Sequence, residues 1–118
     1  ILRQKNAARL YLGGFMEHYI SETDYVDDPG FDTLYEQIAN NTSIFQAGNW
    51  PRNNEVFYQK GSTQYTGTMN LTWTLKDDAM DGVSGDNDYY LIVLSMVWGS
   101  NPSYSIEFRK RAYRFDGN

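Results

Sequence analysis

The sequence predicts an α+β domain in which a long N-terminal helix packs on a mainly antiparallel β-sheet. Apolar residues in the first part of the chain recur at three- and four-residue steps, which is the period of a helix. Much of the second half alternates between apolar and polar residues, which is the period of a strand with one buried face. Because the chain has 118 residues, we expect one globular domain over 1–118 with a single modest core.

The helix is predicted over 1–22. Its apolar stripe consists of Ala7, Ala8, Leu10, Tyr11, Phe15, Tyr19 and Ile20. Gly13 and Gly14 weaken the helix by about 1 kcal/mol each relative to alanine, although a glycine pair also permits a helix to approach a sheet closely. The stretch opens on Ile1 and Leu2 without a capping residue, so we expect the helix to begin upstream of this sequence.

A connecting region with a short helix is predicted over 23–55. It contains a turn signal at 28–30, where the sequence reads Asp-Pro-Gly, and a short helical pattern at 31–39. The remainder is rich in Asn, Gly and Pro and is predicted as loop.

An antiparallel sheet is predicted over 56–115. The clearest alternation places on one buried face the residues Met69, Leu71, Trp73 and Leu75. The run "YYLIVLSMVW" at 89–98 is apolar on both faces and rich in β-branched residues, so it predicts a central strand covered on both sides. Trp73 and Trp98 are assigned to the core beneath the helix.

The last strand alternates again, in the stretch "YSIEFRKRAYRF". Its inward-facing residues are predicted to be Tyr104, Ile106, Phe108 and Ala112. Arg109, Lys110, Arg111 and Arg114 form a basic run in an otherwise acidic chain, with Arg109 and Arg111 predicted to face outward. The run is either the charged protection of an edge strand, which is the preferred interpretation, or a docking surface for an acidic neighbouring subunit.

The charge balance excludes some classes of partner. Fifteen acidic and ten basic residues give a net charge of −5, so no nucleic-acid partner is expected and an anionic lipid surface is expected to repel the chain. The absence of cysteine excludes disulfides, thiolate metal sites and cysteine nucleophiles. No stretch of the sequence approaches the roughly 20 apolar residues that span a bilayer.

The stretch "DDAMDGVSGDND" at 77–88 is rich in aspartate and glycine. Candidate calcium ligands are Asp77, Asp81, Asp86 and Asp88, because calcium takes carboxylate oxygens in flexible geometry. The stretch is not an EF-hand loop, since Ala79 stands where the third position requires an oxygen ligand. A solvated turn between two strands is the preferred interpretation, and calcium is the one cofactor that the sequence suggests.

His18 is the single histidine of the chain. Paired with Asp24, it could act as an acid–base group in a small ligand-binding or lyase-like α+β domain. Histidines among charged helical residues more often lie on the solvated side, and the sequence contains no nucleophile motif. We therefore predict that the protein is not an enzyme and keep the His18 hypothesis as the alternative.

Two stretches of the chain resemble type IV minor pilins and the related type II secretion pseudopilins. "AARLYLGGFMEHYISETDYVDDPG" resembles the second half of their N-terminal helix and the turn that follows it. The C-terminal part of the chain resembles the C-terminal part of these families. There, a strand ending in W-x-V/L-x-D-D is followed by a polar loop, a strand of the form K-x-I-x-V-x-V-x-W, a glycine turn and a last strand. Here 73–78, 91–99 and 104–113 occupy those places.

This resemblance implies a structural subunit of a pilus or pseudopilus. A preceding apolar half-helix, which this sequence does not contain, would anchor the protein in the inner membrane, with the domain in the periplasm or on a cell-surface filament. The partners would be other pilin or pseudopilin subunits. Contacts are expected at Leu2, Arg3, Arg9 and Glu17 on the helix and at Arg109, Arg111 and Arg114 on the basic strand. Many pilins close their C-terminal region with a disulfide, so here packing or an ion at the aspartate loop would take that role.

Overall fold

The computed structural model describes residues 2–20, 34–77 and 88–113. The elements are, in chain order, α1 (Leu2–Tyr19), α2 (Leu34–Ala39), the 3₁₀ segments Ser43–Phe45 and Ala47–Asn49, β1 (Arg52–Lys60), β2 (Thr63–Asp77), β3 (Asp88–Trp98) and β4 (Tyr104–Tyr113). The first helix packs on one face of a four-stranded antiparallel sheet, so the predicted α+β class is confirmed.

The sheet is a meander in which each strand pairs with the next one along the chain, in the order β1-β2-β3-β4. The β2–β3 and β3–β4 ladders run without interruption. The β1–β2 ladder is irregular at two places, and Asn54 takes a positive φ of 59° in the first of them. Asparagine tolerates this left-handed conformation better than most residues. The first strand begins at Arg52, so the connecting region ends before residue 55, which was its predicted limit.

The helix α1 is fixed to the sheet near both of its ends. Near its start, the indole Nε1 of Trp98 donates a hydrogen bond of 3.0 Å to Oε1 of Gln4. Near its end, Nζ of Lys110 donates a bond of 2.9 Å to the carbonyl oxygen of Ile20. A cation is favourable there, since the last carbonyls of a helix lack partners within the helix and carry partial negative charge. The side chain of Trp98 is 5% exposed, which confirms its assignment to the core beneath the helix.

The core lies between α1 and the inner face of the sheet. Its fully or almost fully buried residues include Ala8, Leu12, Ile20, Met69, Leu71, Ile92, Leu94, Met96 and Ala112. The inward residues of β4 were predicted correctly: Tyr104, Ile106 and Phe108 are half-buried and pack against this core, and Ala112 is buried.

Three predictions about the interior were wrong. Leu75 is 50% exposed, so the buried face of β2 ends before this residue. The outer face of β3 is not covered by a described element, since Leu91 and Val93 are half-buried and Val97 is 44% exposed. Leu10 and Tyr19 were both placed in the apolar stripe of the helix, but they are 77% and 50% exposed.

Trp73 packs against the core, to which the sequence assigned it. It is half-buried, and its ring meets that of Phe45 edge-on, with 5.5 Å between the ring centroids. Phe45 belongs to the first 3₁₀ segment, so this segment contributes to the cover of Trp73.

Candidate contact surfaces

The outer surface of α1 carries an exposed ridge with four-residue spacing. Its members are Leu2, Asn6, Leu10, Gly14 and His18, all of them exposed. Residues with this spacing lie one above another on a helix. Leu2 is 73% exposed and Leu10 is 77% exposed, so two large apolar side chains of this helix are open to solvent. The predicted contact residues Arg3, Arg9 and Glu17 are exposed on the same helix.

The basic run of β4 divides between the two faces of the sheet. Arg109 and Arg111 are exposed on the outer face, whereas the ammonium group of Lys110 bonds to the end of α1. Arg109 forms an ion pair with Glu107 on its own strand, at 2.9 Å between Nη2 and Oε1. Arg114 lies outside the described residues.

Arg111 lies beside two tyrosines at the edge of this outer face. Its guanidinium carbon stands 4.9 Å from the centre of the Tyr89 ring, and its Nη1 donates a bond of 3.2 Å to the hydroxyl of Tyr113. A shallow groove of about 270 Å³ lies here, lined by Tyr89, Leu91, Arg109, Lys110 and Arg111. The groove is cationic and aromatic, which suits an acidic protein surface.

The aspartate-rich stretch begins and ends at a pair of strand residues. Asp77 and Asp88 are direct partners in the β2–β3 ladder. Asp81 and Asp86 lie outside the described residues. Within 2–20, 34–77 and 88–113, no three metal-binding side chains come together. Calcium binding at this stretch therefore stays a prediction.

His18 lies in the last turn of α1 and is exposed. Its ring meets the ring of Tyr19 edge-on at 4.5 Å between centroids. Asp24, its predicted partner, lies outside the described residues. The acid–base hypothesis thus rests on the sequence alone.

A polar contact between α1 and β1 was not predicted from the sequence. The hydroxyl of Tyr11 donates a bond of 2.6 Å to Oε2 of Glu55. Burial raises the pKa of Tyr11 to about 12, and the carboxylate of Glu55 adds to the shift by accepting the bond and by its charge. These residues are 44 positions apart, and no local sequence pattern links them.

Arg52 forms a second contact of this kind on β1. Its guanidinium carbon lies 4.4 Å from the ring centre of Trp50 and 5.5 Å from that of Phe15. Such cation–π contacts strengthen where the cation is partly desolvated. They join the end of the loop region to the helix.

An open groove of about 410 Å³ lies where the start of α1 meets the β1–β2 hairpin. It is lined by Leu2, Arg3, Gln4, Tyr58, Lys60 and Tyr65. The two tyrosine rings stack at 5.3 Å between centroids with 27° between their planes. Sequence reasoning named Leu2 and Arg3 but not the hairpin residues that face them.

Comparison of the chain with protein-family models, with curated proteins and with solved structures finds no match. The pilin resemblance therefore stays a prediction. No helix in the described part of the chain has the length and apolar character that crossing a membrane requires.

Proposed function

We propose that the protein is a structural subunit of a type IV pilus or of a type II secretion pseudopilus, of the minor pilin or pseudopilin kind. The observation that carries the proposal is the exposed ridge of α1, in which Leu2 is 73% exposed and Leu10 is 77% exposed. The sequence resemblance of the helix and of the last three strands supports it.

The helix ridge would make the main contact with neighbouring subunits. Burying a leucine contributes about 1.5–3 kcal/mol, so Leu2 and Leu10 together supply a substantial driving force. Gly14 lies one turn beyond Leu10, and a Cβ added to it would meet no atom within 4 Å. The ridge can therefore receive a large side chain from a neighbouring helix beside Gly14.

The charged residues would select the neighbour and set its orientation. Arg3 and Arg9 near the start of α1, Glu17 near its end, and Arg109 on β4 are all exposed. Exposed charges at the rim of an interface change association rate and specificity more than affinity. An acidic neighbouring subunit would suit the outer face of β4.

In this proposal an apolar half-helix precedes the present sequence and continues α1 into the inner membrane. Sequencing the coding region upstream of Ile1 tests it directly. The expected result is about 20 apolar residues with a glutamate near their start, preceded by a glycine. A conventional signal peptide or a start codon directly upstream would refute the proposal.

Cross-linking tests the helix ridge itself. The chain has no cysteine, so Leu10→Cys introduces a single thiol at the centre of the ridge. In cells that assemble the filament, we expect mild oxidation or a short bifunctional reagent to join this thiol to a neighbouring subunit. Leu75→Cys is the matched control, because Leu75 is also an exposed leucine, at 50%, on the sheet. Equal cross-linking of both variants would exclude the ridge as the specific contact.

The ligand-binding or lyase-like alternative has no comparable support. His18 is exposed, and the two grooves described above are open to solvent and lined in part by charged side chains.

A further inference from the structure

The charges of this acidic protein are unevenly distributed along the chain. The stretches 2–16, 56–76 and 89–106 contain no aspartate or glutamate, and they carry five of the ten basic residues. All fifteen acidic residues lie elsewhere in the sequence. The net charge of −5 is therefore unevenly spread along the sequence.

The fold gathers part of the acid-free sequence at one end of the sheet. Arg3, Tyr58, Lys60 and Tyr65 line the groove where α1 begins, and Lys5 is exposed on the same stretch of helix. We call these five residues the basic end. The paired Asp77 and Asp88 mark the opposite end of the β2 strand, which is 15 residues long.

We infer that the basic end binds the surface of an anionic lipid membrane. Lysine and arginine side chains near such a surface are attracted to its lipid phosphates, and tyrosine rings favour the region of the headgroups. Leu2, 73% exposed beside the groove, supplies an apolar side chain that can enter the boundary of the acyl chains.

The distance between the basic end and Asp77 makes binding to an anionic membrane compatible with the negative net charge of the chain. Fields of exposed charges decay over about 10 Å at an ionic strength of 0.1 M. The molecule measures 52 Å in its longest dimension, and a strand of 15 residues separates the basic end from Asp77. The paired Asp77 and Asp88 are therefore screened from a membrane that touches the basic end. The sequence-based expectation of repulsion treated the charge as if it were uniform.

The inference stands on this charge distribution and does not require the pilin proposal. An upstream sequence without an apolar helix would refute the pilin proposal and leave this inference standing. A failure to bind vesicles would refute this inference alone.

Co-sedimentation of the 118-residue chain with lipid vesicles tests the inference. The chain should bind vesicles of equal parts phosphatidylglycerol and phosphatidylcholine, fail to bind pure phosphatidylcholine, and release as salt is added. The triple variant Arg3→Glu, Lys5→Glu, Lys60→Glu should bind at least about 100-fold more weakly, because each cation near an anionic surface contributes about fivefold.

The matched control is the triple variant Lys76→Glu, Arg109→Glu, Arg111→Glu, which changes the net charge by the same amount. All six positions are exposed, and melting curves verify that both variants are folded. The control should bind within about threefold of the parent. Equal loss in both variants would attribute binding to net charge and overturn the inference. Absence of binding by the parent, or full competition by free inorganic phosphate, would overturn it as well.

Discussion

The two faces of β3 carry similar apolar side chains in very different surroundings. On the inner face, Ile92 and Leu94 have no exposed surface because α1 and the core lie over them. On the outer face, Leu91 and Val93 are only half-buried. An apolar run on both faces of a strand therefore does not establish that both faces are covered.

Neighbouring strands explain how the outer row is tolerated in water. Leu91 lies between Thr74 of β2 and Arg111 of β4 in the two ladders. Val93 in the same way lies between Thr72 and Arg109. Threonine methyl groups and arginine stems shield apolar neighbours and leave polar groups at the surface. The outer face is thus a narrow apolar row with polar margins.

The difference between the two faces of β3 is tested most directly by shortening one leucine on each face. Leu94→Ala should lower the free energy of unfolding by about 3 kcal/mol, because it removes a packed side chain and leaves a cavity. Leu91→Ala should cost about 1 kcal/mol, since its site is half open. Urea denaturation of both variants measures the difference. Equal losses would mean that the outer face is packed as tightly as the inner one.

The next largest effect is expected at the hydrogen bond between helix and sheet. Tyr11→Phe removes the donor to Glu55 and should cost about 2 kcal/mol at neutral pH, because bonds to a charged acceptor are stronger than neutral ones. Tyr113→Phe is the control on the outer face, where the partner is an exposed arginine, and it should cost far less. A loss at Tyr11 no larger than at Tyr113 would contradict the assignment.

The same bond has a defined dependence on pH. The pKa of Tyr11 rises from 10.0 to about 12 on folding, so the folded protein holds this proton more tightly than the unfolded chain does. Its contribution is therefore complete below pH 10.0 and disappears as the pH rises toward 12. The stability difference between the parent and Tyr11→Phe should stay constant up to pH 10 and then shrink. A difference that grows with pH would show the opposite sign of shift.

A smaller effect distinguishes the two sides of α1. Gly14→Ala should stabilise the protein by about 1 kcal/mol, because alanine is the better helix former and the added methyl group meets no neighbour. At Gly13 the added Cβ would lie 3.3 Å from Cε2 of Phe108, so the ring must shift. Gly13→Ala should therefore gain less or lose stability. Thermal melts compare the two, and a larger gain at Gly13 would contradict the packing.

The smallest effect is expected on the outer face of β4. Arg109→Ala breaks the ion pair with Glu107, in which the two side chains are 64% and 49% exposed. Solvent screens such pairs, so the change in the free energy of unfolding should be below about 0.5 kcal/mol. A loss above 1 kcal/mol would indicate that Arg109 has a further partner in the folded chain.

The periodicity of the sequence was sufficient for the class of fold. The alternation of β4 placed Ile106 and Phe108 inward and Arg109 outward, and the structure agrees. The spacing of apolar residues along the sequence indicates which side chains share one face of a helix or strand. That relation depends only on residues close together in the sequence. It does not report whether another element lies over that face, which is why Leu75 and the outer row of β3 were misplaced.

Contacts between distant parts of the chain could not be predicted in the same way. The groove at the basic end joins Arg3 of α1 to Lys60 and Tyr65 of the hairpin. Each of these residues is unremarkable in its local sequence. Leu10 was placed wrongly for another reason. An exposed apolar residue on a helix can lie three or four positions from another apolar residue, so its spacing alone assigns it to the buried stripe.

The order of the strands has a consequence for how the chain folds. Each strand of the meander pairs with the next, so each hairpin closes a short loop at a low cost in chain entropy. The contacts that fix α1 join residues 94 and 90 positions apart. Contacts of such separation form late, because loop closure costs entropy before the contact stabilises anything. We therefore expect the sheet to form early in folding and α1 to dock onto it late.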